Sequence, residues 1–142
     1  MTESKPGMKR VLVVDRQEYW RGLSAEALTG KGFAVKVLDR YEYSPDVAYF
    51  EGKPPDLVVL GCASIKREER EFIEAVLADG PRLLVFCASL PWPDARSVFL
   101  AGADDVTEKP YNPERVVSTV EEVFESRWAR DSYEAVESEG VL

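Results

Sequence analysis

Asp15 closes the apolar run Val11-Leu12-Val13-Val14, Cys87 closes Leu83-Leu84-Val85-Phe86, and Lys109 stands before Pro110. With Arg16 and Cys62, these are the side chains whose types and spacing could do chemistry if the fold gathers them. One carboxylate facing two cations is a poor site for Mg²⁺, which wants several carboxylate oxygens. It suits an ion pair between Asp15 and Lys109, with Arg16 either turned to solvent or free to hold an anion. Gly61, at the end of Leu57-Val58-Val59-Leu60, has no side chain to accept a group or hold a metal ion. Cys62 and Cys87 fall near strand ends; they either come close enough to respond to oxidation or serve as small buried hydrophobes.

The composition removes several other chemistries. The chain has no histidine, which excludes histidine bases, histidine metal ligands and phosphohistidine. Two cysteines make neither a disulfide framework nor a zinc pattern. The net charge of −8 argues against nucleic acid, which is bound by clustered Lys and Arg. No apolar run approaches the roughly 18–20 residues that span a bilayer, and residues 1–8 lack the apolar stretch of a signal peptide. A cytoplasmic protein without membrane insertion, cofactor or metal is expected, and no catalytic residue is assigned.

Five short apolar runs alternate with helical patterns. The strands are expected at Val11–Val14, Phe33–Leu38, Leu57–Leu60, Leu83–Phe86 and Asp105–Thr107. Helices are marked by Trp20, Leu23, Ala27 and Leu28 before Gly30; by a short turn opened by Ser44-Pro45 and ending near Gly52; and by Phe72, Ile73, Val76 and Leu77 before Gly80. Pro91-Trp92-Pro93-Asp94 opens the fourth, and Pro113 opens the fifth, whose stripe is Val117, Val120, Phe124 and Trp128. Strict alternation implies an α/β fold: a five-stranded parallel sheet, order 2-1-3-4-5, with helices on both faces. Any ligand site then lies at the carboxyl ends of strands one and three. Trp20 is read as core or helix-face packing, and Trp92 as either a partner anchor or a lid over the pocket.

Three segments carry a resemblance: Val11 to Asp15 before a helix holding Arg21, Pro55-Asp56-Leu57-Val58-Val59-Leu60, and Ala101-Gly102-Ala103-Asp104-Asp105-Val106-Thr107-Glu108-Lys109-Pro110. Over residues 9–126 the chain resembles the receiver domains of bacterial response regulators, the CheY-like flavodoxin-type fold. The resemblance implies a pair of acids after strand one for Mg²⁺, an acceptor aspartate ending strand three, a hydroxyl after strand four, a lysine before a cis proline bond, and an aromatic reporter on strand five. Here those positions hold Asp15 and Arg16, Gly61, Cys87, Lys109 and Val106. The pocket Asp15, Arg16, Gly61, Cys87, Val106, Lys109 is therefore degenerate. Asp56 is no substitute acceptor, being at the opposite end of the sheet, and Asp104 and Asp105 belong to a surface turn.

The function expected from this resemblance is that of a pseudo-receiver. It would be a phosphorylation-independent protein–protein interaction module in bacterial two-component signalling, binding a protein partner or forming a homodimer. The face would be helix four, strand five and helix five, with Trp92, Val98, Val106, Glu108, Arg115 and Trp128 as candidate contacts. The alternative is a sensor of small anions using Arg16 and Lys109 in the vacated pocket. The organisation is read as a flexible arm at 1–8, a receiver-like domain at 9–126, and a helix extension with an acidic tail at 127–142. The last helix is expected to end near Arg130, with the tail solvated or ordered on a partner and no output domain after it.

Overall fold

The first strand, β1 (Arg10–Val14), is paired on both sides, and the other strands are laid out from it. A computed structural model describes residues 7–110 and 112–138, with side chains described for 7–110 and 112–126. The chain continues as α1 (Glu18–Gly30), β2 (Ala34–Leu38), α2 (Pro45–Ala48), β3 (Leu57–Cys62) and α3 (Arg67–Asp79). It ends with β4 (Arg82–Cys87), α4 (Trp92–Ala101), β5 (Asp105–Glu108) and α5 (Pro113–Ser138). The sheet order is β2-β1-β3-β4-β5, and all pairings are parallel. This is the expected topology, and it follows from alternation: each helix returns the chain to the starting edge, so successive strands run the same way.

Both faces of the sheet are covered. Leu12, Val14, Val58, Leu60, Val85 and Cys87 point to one face and meet Ala48, Ile73, Val76 and Val98 of α2, α3 and α4. Val11, Val13, Val59, Leu84 and Phe86 point to the other and meet Trp20, Leu28, Val117 and Val120 of α1 and α5. Every residue of β3 is buried, which is why this strand reads as an unbroken apolar run rather than an alternation. Each fully buried aliphatic side chain contributes about 1.5–3 kcal/mol relative to exposure. Gly80 ends α3 in the left-handed region, φ 99°, where a side chain would be strained.

The structure departs from the sequence expectations at five points. β3 and β4 run on to Cys62 and Cys87, because their ladder continues through Gly61↔Phe86 and Cys62↔Cys87. Gly61 and both cysteines are thus strand residues and not loop residues. α2 is a single turn ending at Ala48, followed by a Phe50–Lys53 bridge. The described residues contain no cis peptide bond, so Lys109-Pro110 is trans. Trans is favoured before proline by about 0.5–1 kcal/mol, and here the Pro110 carbonyl accepts a hydrogen bond from Trp20. Met8, placed in the arm, packs on the core. α5 continues past Arg130 to Ser138, since the first helix breaker after Pro113 is Gly140.

Candidate functional site

The register sets the carboxyl ends of the strands side by side: Val14 pairs with Leu60, Cys62 with Cys87, and Cys87 with Glu108. Asp15 and Lys109 follow immediately and converge. The Lys109 Nζ lies 2.6 Å from Asp15 Oδ2, with side-chain exposures of 12% and 3%. The approach is a charge contact without hydrogen-bond alignment, since Oδ2 accepts no aligned bond. Oδ1 instead accepts the Gln17 amide at 2.9 Å, and the ammonium also donates to Gln17 Oε1 at 2.9 Å. Arg21, at the start of α1, donates to the Asp15 carbonyl and fixes the turn that presents the carboxylate.

The space beside this pair belongs to Trp20. Its ring sits in the first turn of α1, 8% exposed, edge-on to Phe86 with centroids 5.6 Å apart. The indole N–H donates to the Pro110 carbonyl at 3.3 Å, and Lys109 Nζ lies 4.9 Å from the ring centroid. A Cβ built on Gly61 would fall 2.7 Å from the Trp20 ring and also overlap the Asp15 carboxylate. A side chain at 61 would therefore force Asp15 or Trp20 to shift, and glycine fits the strand end with both in place. Sequence reasoning treated Trp20 as ordinary packing and missed this. The available signal was a size exchange, a tryptophan five residues after Asp15 facing a glycine at the end of the next strand.

A second layer closes the opposite side. Tyr41, in the β2–α2 loop, donates its hydroxyl to the Gly61 carbonyl at 3.1 Å. The Arg16 guanidinium stacks 4.6 Å from the Tyr41 ring centroid and pairs with Glu68 at the start of α3. Burial, followed by the nearby Cys62 and Asp15, holds the Tyr41 phenol above its ordinary range, so it stays a donor. Both cations that an anion sensor would need are engaged, Arg16 by Glu68 and Tyr41, Lys109 by Asp15 and Gln17. An anion entering here would have to compete with these partners, of which Glu68 is an exposed one. The donor set does not favour a divalent cation either: the buried carboxylate at the strand ends, Asp15, already carries an ammonium. Among the described residues, no group of three or more Cys, Asp or Glu could hold a metal.

The remaining candidates separate into buried and exposed sets. Cys62 and Cys87 are register partners, both fully buried and free. Cys87 donates to the carbonyl of Ser89 at 3.0 Å. Burial and the adjacent Cys87 push the Cys62 thiol up, the reverse of what a reactive thiolate needs. Val98, expected on the partner face, is 3% exposed and packs under α4. The helical period places it opposite Trp92, and Phe99 and Leu100 are the outward residues instead. Val106 is partly buried against the same core, while Glu108 and Arg115 are exposed. Trp92 lies open to solvent in the first turn of α4 beside Arg96 and Leu100, so it is no lid. Trp128 lies outside the residues whose side chains are described. Asp56 holds the Arg10 amide at the far end of the sheet, as its position before β3 implied.

No family model matches the chain, and no curated protein matches it. Solved structures do. A CheY-like response regulator receiver domain protein from Methanospirillum hungatei JF-1 aligns with a TM-score of 0.70 at 19% identity, covering 87% of this chain and 99% of that one. The fold is that of a receiver domain. Vibrio cholerae CheY4 gives a TM-score of 0.69 at 20% identity, covering 82% of this chain and 99% of that receiver. HP1043, an orphan response regulator of H. pylori, gives 0.66 at 21% identity, covering 84% and 98%. Within this receiver fold, the strand ends hold an ion pair and an indole. None of the described helices is long and apolar enough to cross a membrane.

Proposed function

We propose that the chain is a pseudo-receiver, an interaction module of bacterial signalling whose surface works without aspartyl phosphorylation. The observation that carries this is the exclusion of any side chain at Gly61 by Trp20 and Asp15. An acceptor aspartate has no space there, and the lysine that would meet a phosphoryl group is spent on Asp15. Trp20, Tyr41 and Arg16 tie the segments after β1, β2 and β5 to one another, to Gly61 of β3 and to Glu68 of α3. The product is one fixed presentation of the outer surface. On α4, β5 and α5 that surface offers Trp92, Phe99, Leu100, Glu108 and Arg115. The H. pylori neighbour is itself described as an orphan regulator.

The test is incubation with Mg²⁺ and acetyl phosphate, followed by intact mass. The expected result is no gain of a phosphoryl group. A hydroxylamine-sensitive phosphoryl adduct would overturn the reading.

A further inference from the structure

Among the described residues, two surfaces have no partner within the chain, and each supplies what the other lacks. The first is a ridge on α4. Trp92, Arg96 and Leu100 recur at four-residue spacing and so share one face, where Trp92 is 73% and Leu100 67% exposed. Exposed large apolar side chains gathered this way mark interaction sites. The second is a groove of about 750 Å³ between α1 and α5. Leu23, Ala27 and Val117 line it apolarly, while Glu26, Glu114 and Glu121 line it with negative charge against the single cation Lys31. A helix ridge bearing two apolar anchors around one guanidinium fits an apolar groove edged with carboxylates.

We propose that the chain associates with itself head to tail, α4 of one copy seating in the α1–α5 groove of the next. This deepens the interaction-module reading and rests on it. The occupant is a second copy because the charges match between the two surfaces and clash within one. A two-fold pairing of α4 with α4 would set Arg96, at the centre of the ridge, against its own counterpart. The α1–α5 groove paired with itself would oppose carboxylates to carboxylates. The ridge and the groove lie on opposite faces of the sheet, α4 on one and α1 with α5 on the other. One copy can therefore use both at once, and the contact is heterologous: it propagates rather than stopping at a dimer. A single ridge in a single groove is a small interface, so assembly depends on concentration.

Sedimentation equilibrium over a concentration series tests this with the full chain. The expected weight-average mass climbs past that of a dimer. Arg96→Glu alone, and Glu26→Lys with Glu121→Lys together, each weaken association roughly tenfold or more. An equimolar mixture of these two variants regains it, because the new glutamate meets the new lysines and the native ridge still meets the native groove. A wild-type chain that stays monomeric throughout overturns the proposal, while leaving phosphorylation independence to the acetyl phosphate experiment. Growth that halts at a dimer overturns the head-to-tail geometry, and a mixture that fails to reassociate overturns the pairing of these two surfaces.

Discussion

Gly61 and Trp20 occupy one space: a Cβ on the glycine would lie 2.7 Å from the indole ring. The absence of a side chain at the end of β3 and the presence of a large one at the start of α1 are a single packing solution. Gly61 is thus tied to the packing of its neighbours. Restoring a side chain there meets a filled site.

Gly61→Ala is expected to destabilise the fold by about 1–3 kcal/mol, the usual cost of overpacking. Gly61→Asp is expected to cost more, since it also brings a second carboxylate against Asp15. Pairing Gly61→Ala with Trp20→Leu should recover part of the loss by vacating the ring's place. Urea unfolding of the four proteins checks this; a neutral Gly61→Ala would show that Trp20 and Asp15 move aside without strain.

Lys109→Ala leaves Asp15 buried and deprived of its cation. Breaking a buried pair from one side costs about 3–5 kcal/mol, and the Gln17 amide that still serves Oδ1 puts the expectation at the lower end. Replacing both, Asp15→Leu with Lys109→Met, should cost less than Lys109→Ala alone, because no charge is then stranded. Chemical denaturation of the single and double variants gives the comparison directly. A double variant less stable than the single would mean that the pair contributes more than it costs to bury.

Stability is expected to fall on the alkaline side. Burial raises the Tyr41 and Tyr43 phenols, with Asp79 adding to the rise at Tyr43, and burial raises the Cys62 thiol. Below about pH 8 folded and unfolded chains both keep these protons, so the contribution is fully present. Above the ordinary values, about 8.5 for a thiol and 10 for a phenol, the unfolded chain releases protons that the folded chain retains. Stability is then lost as pH rises. The urea midpoint should be flat with respect to these groups near pH 7 and drop by pH 10.5, and Tyr43→Phe should shallow that drop. An unchanged midpoint at pH 10.5 would count against it.

Much of the fold was legible in the sequence. Helix starts at Pro45 and Pro113, the stop at Gly80, and the apolar runs at β1, β3 and β4 are local signals, set by backbone preference and burial. The ion pair between Asp15 and Lys109 was legible too, because the topology brings the ends of β1 and β5 to one edge of the sheet. The roles of Trp20, Tyr41 and Glu68 were not. Tyr41 meets Gly61, and Arg16 meets Glu68, through loops whose paths depend on packing from three elements at once. Val98 was misplaced for a smaller reason: its burial depends on which way α4 is rotated against the sheet.

The sequence by itself determined a five-stranded parallel sheet, a strand end without an acceptor side chain, and a lysine and a carboxylate close enough to pair. These follow from periodicity, residue type and right-handed crossover, which are properties of the chain read along its length. Only the tertiary structure decided that the space beside Gly61 is filled and not open, that Arg16 and Lys109 each meet a carboxylate, and that the apolar ridge and the acidic groove lie on opposite faces. Those are statements about side chains distant in sequence sharing a few ångströms of space. Close packing resolves them by volume and charge, which no local pattern encodes.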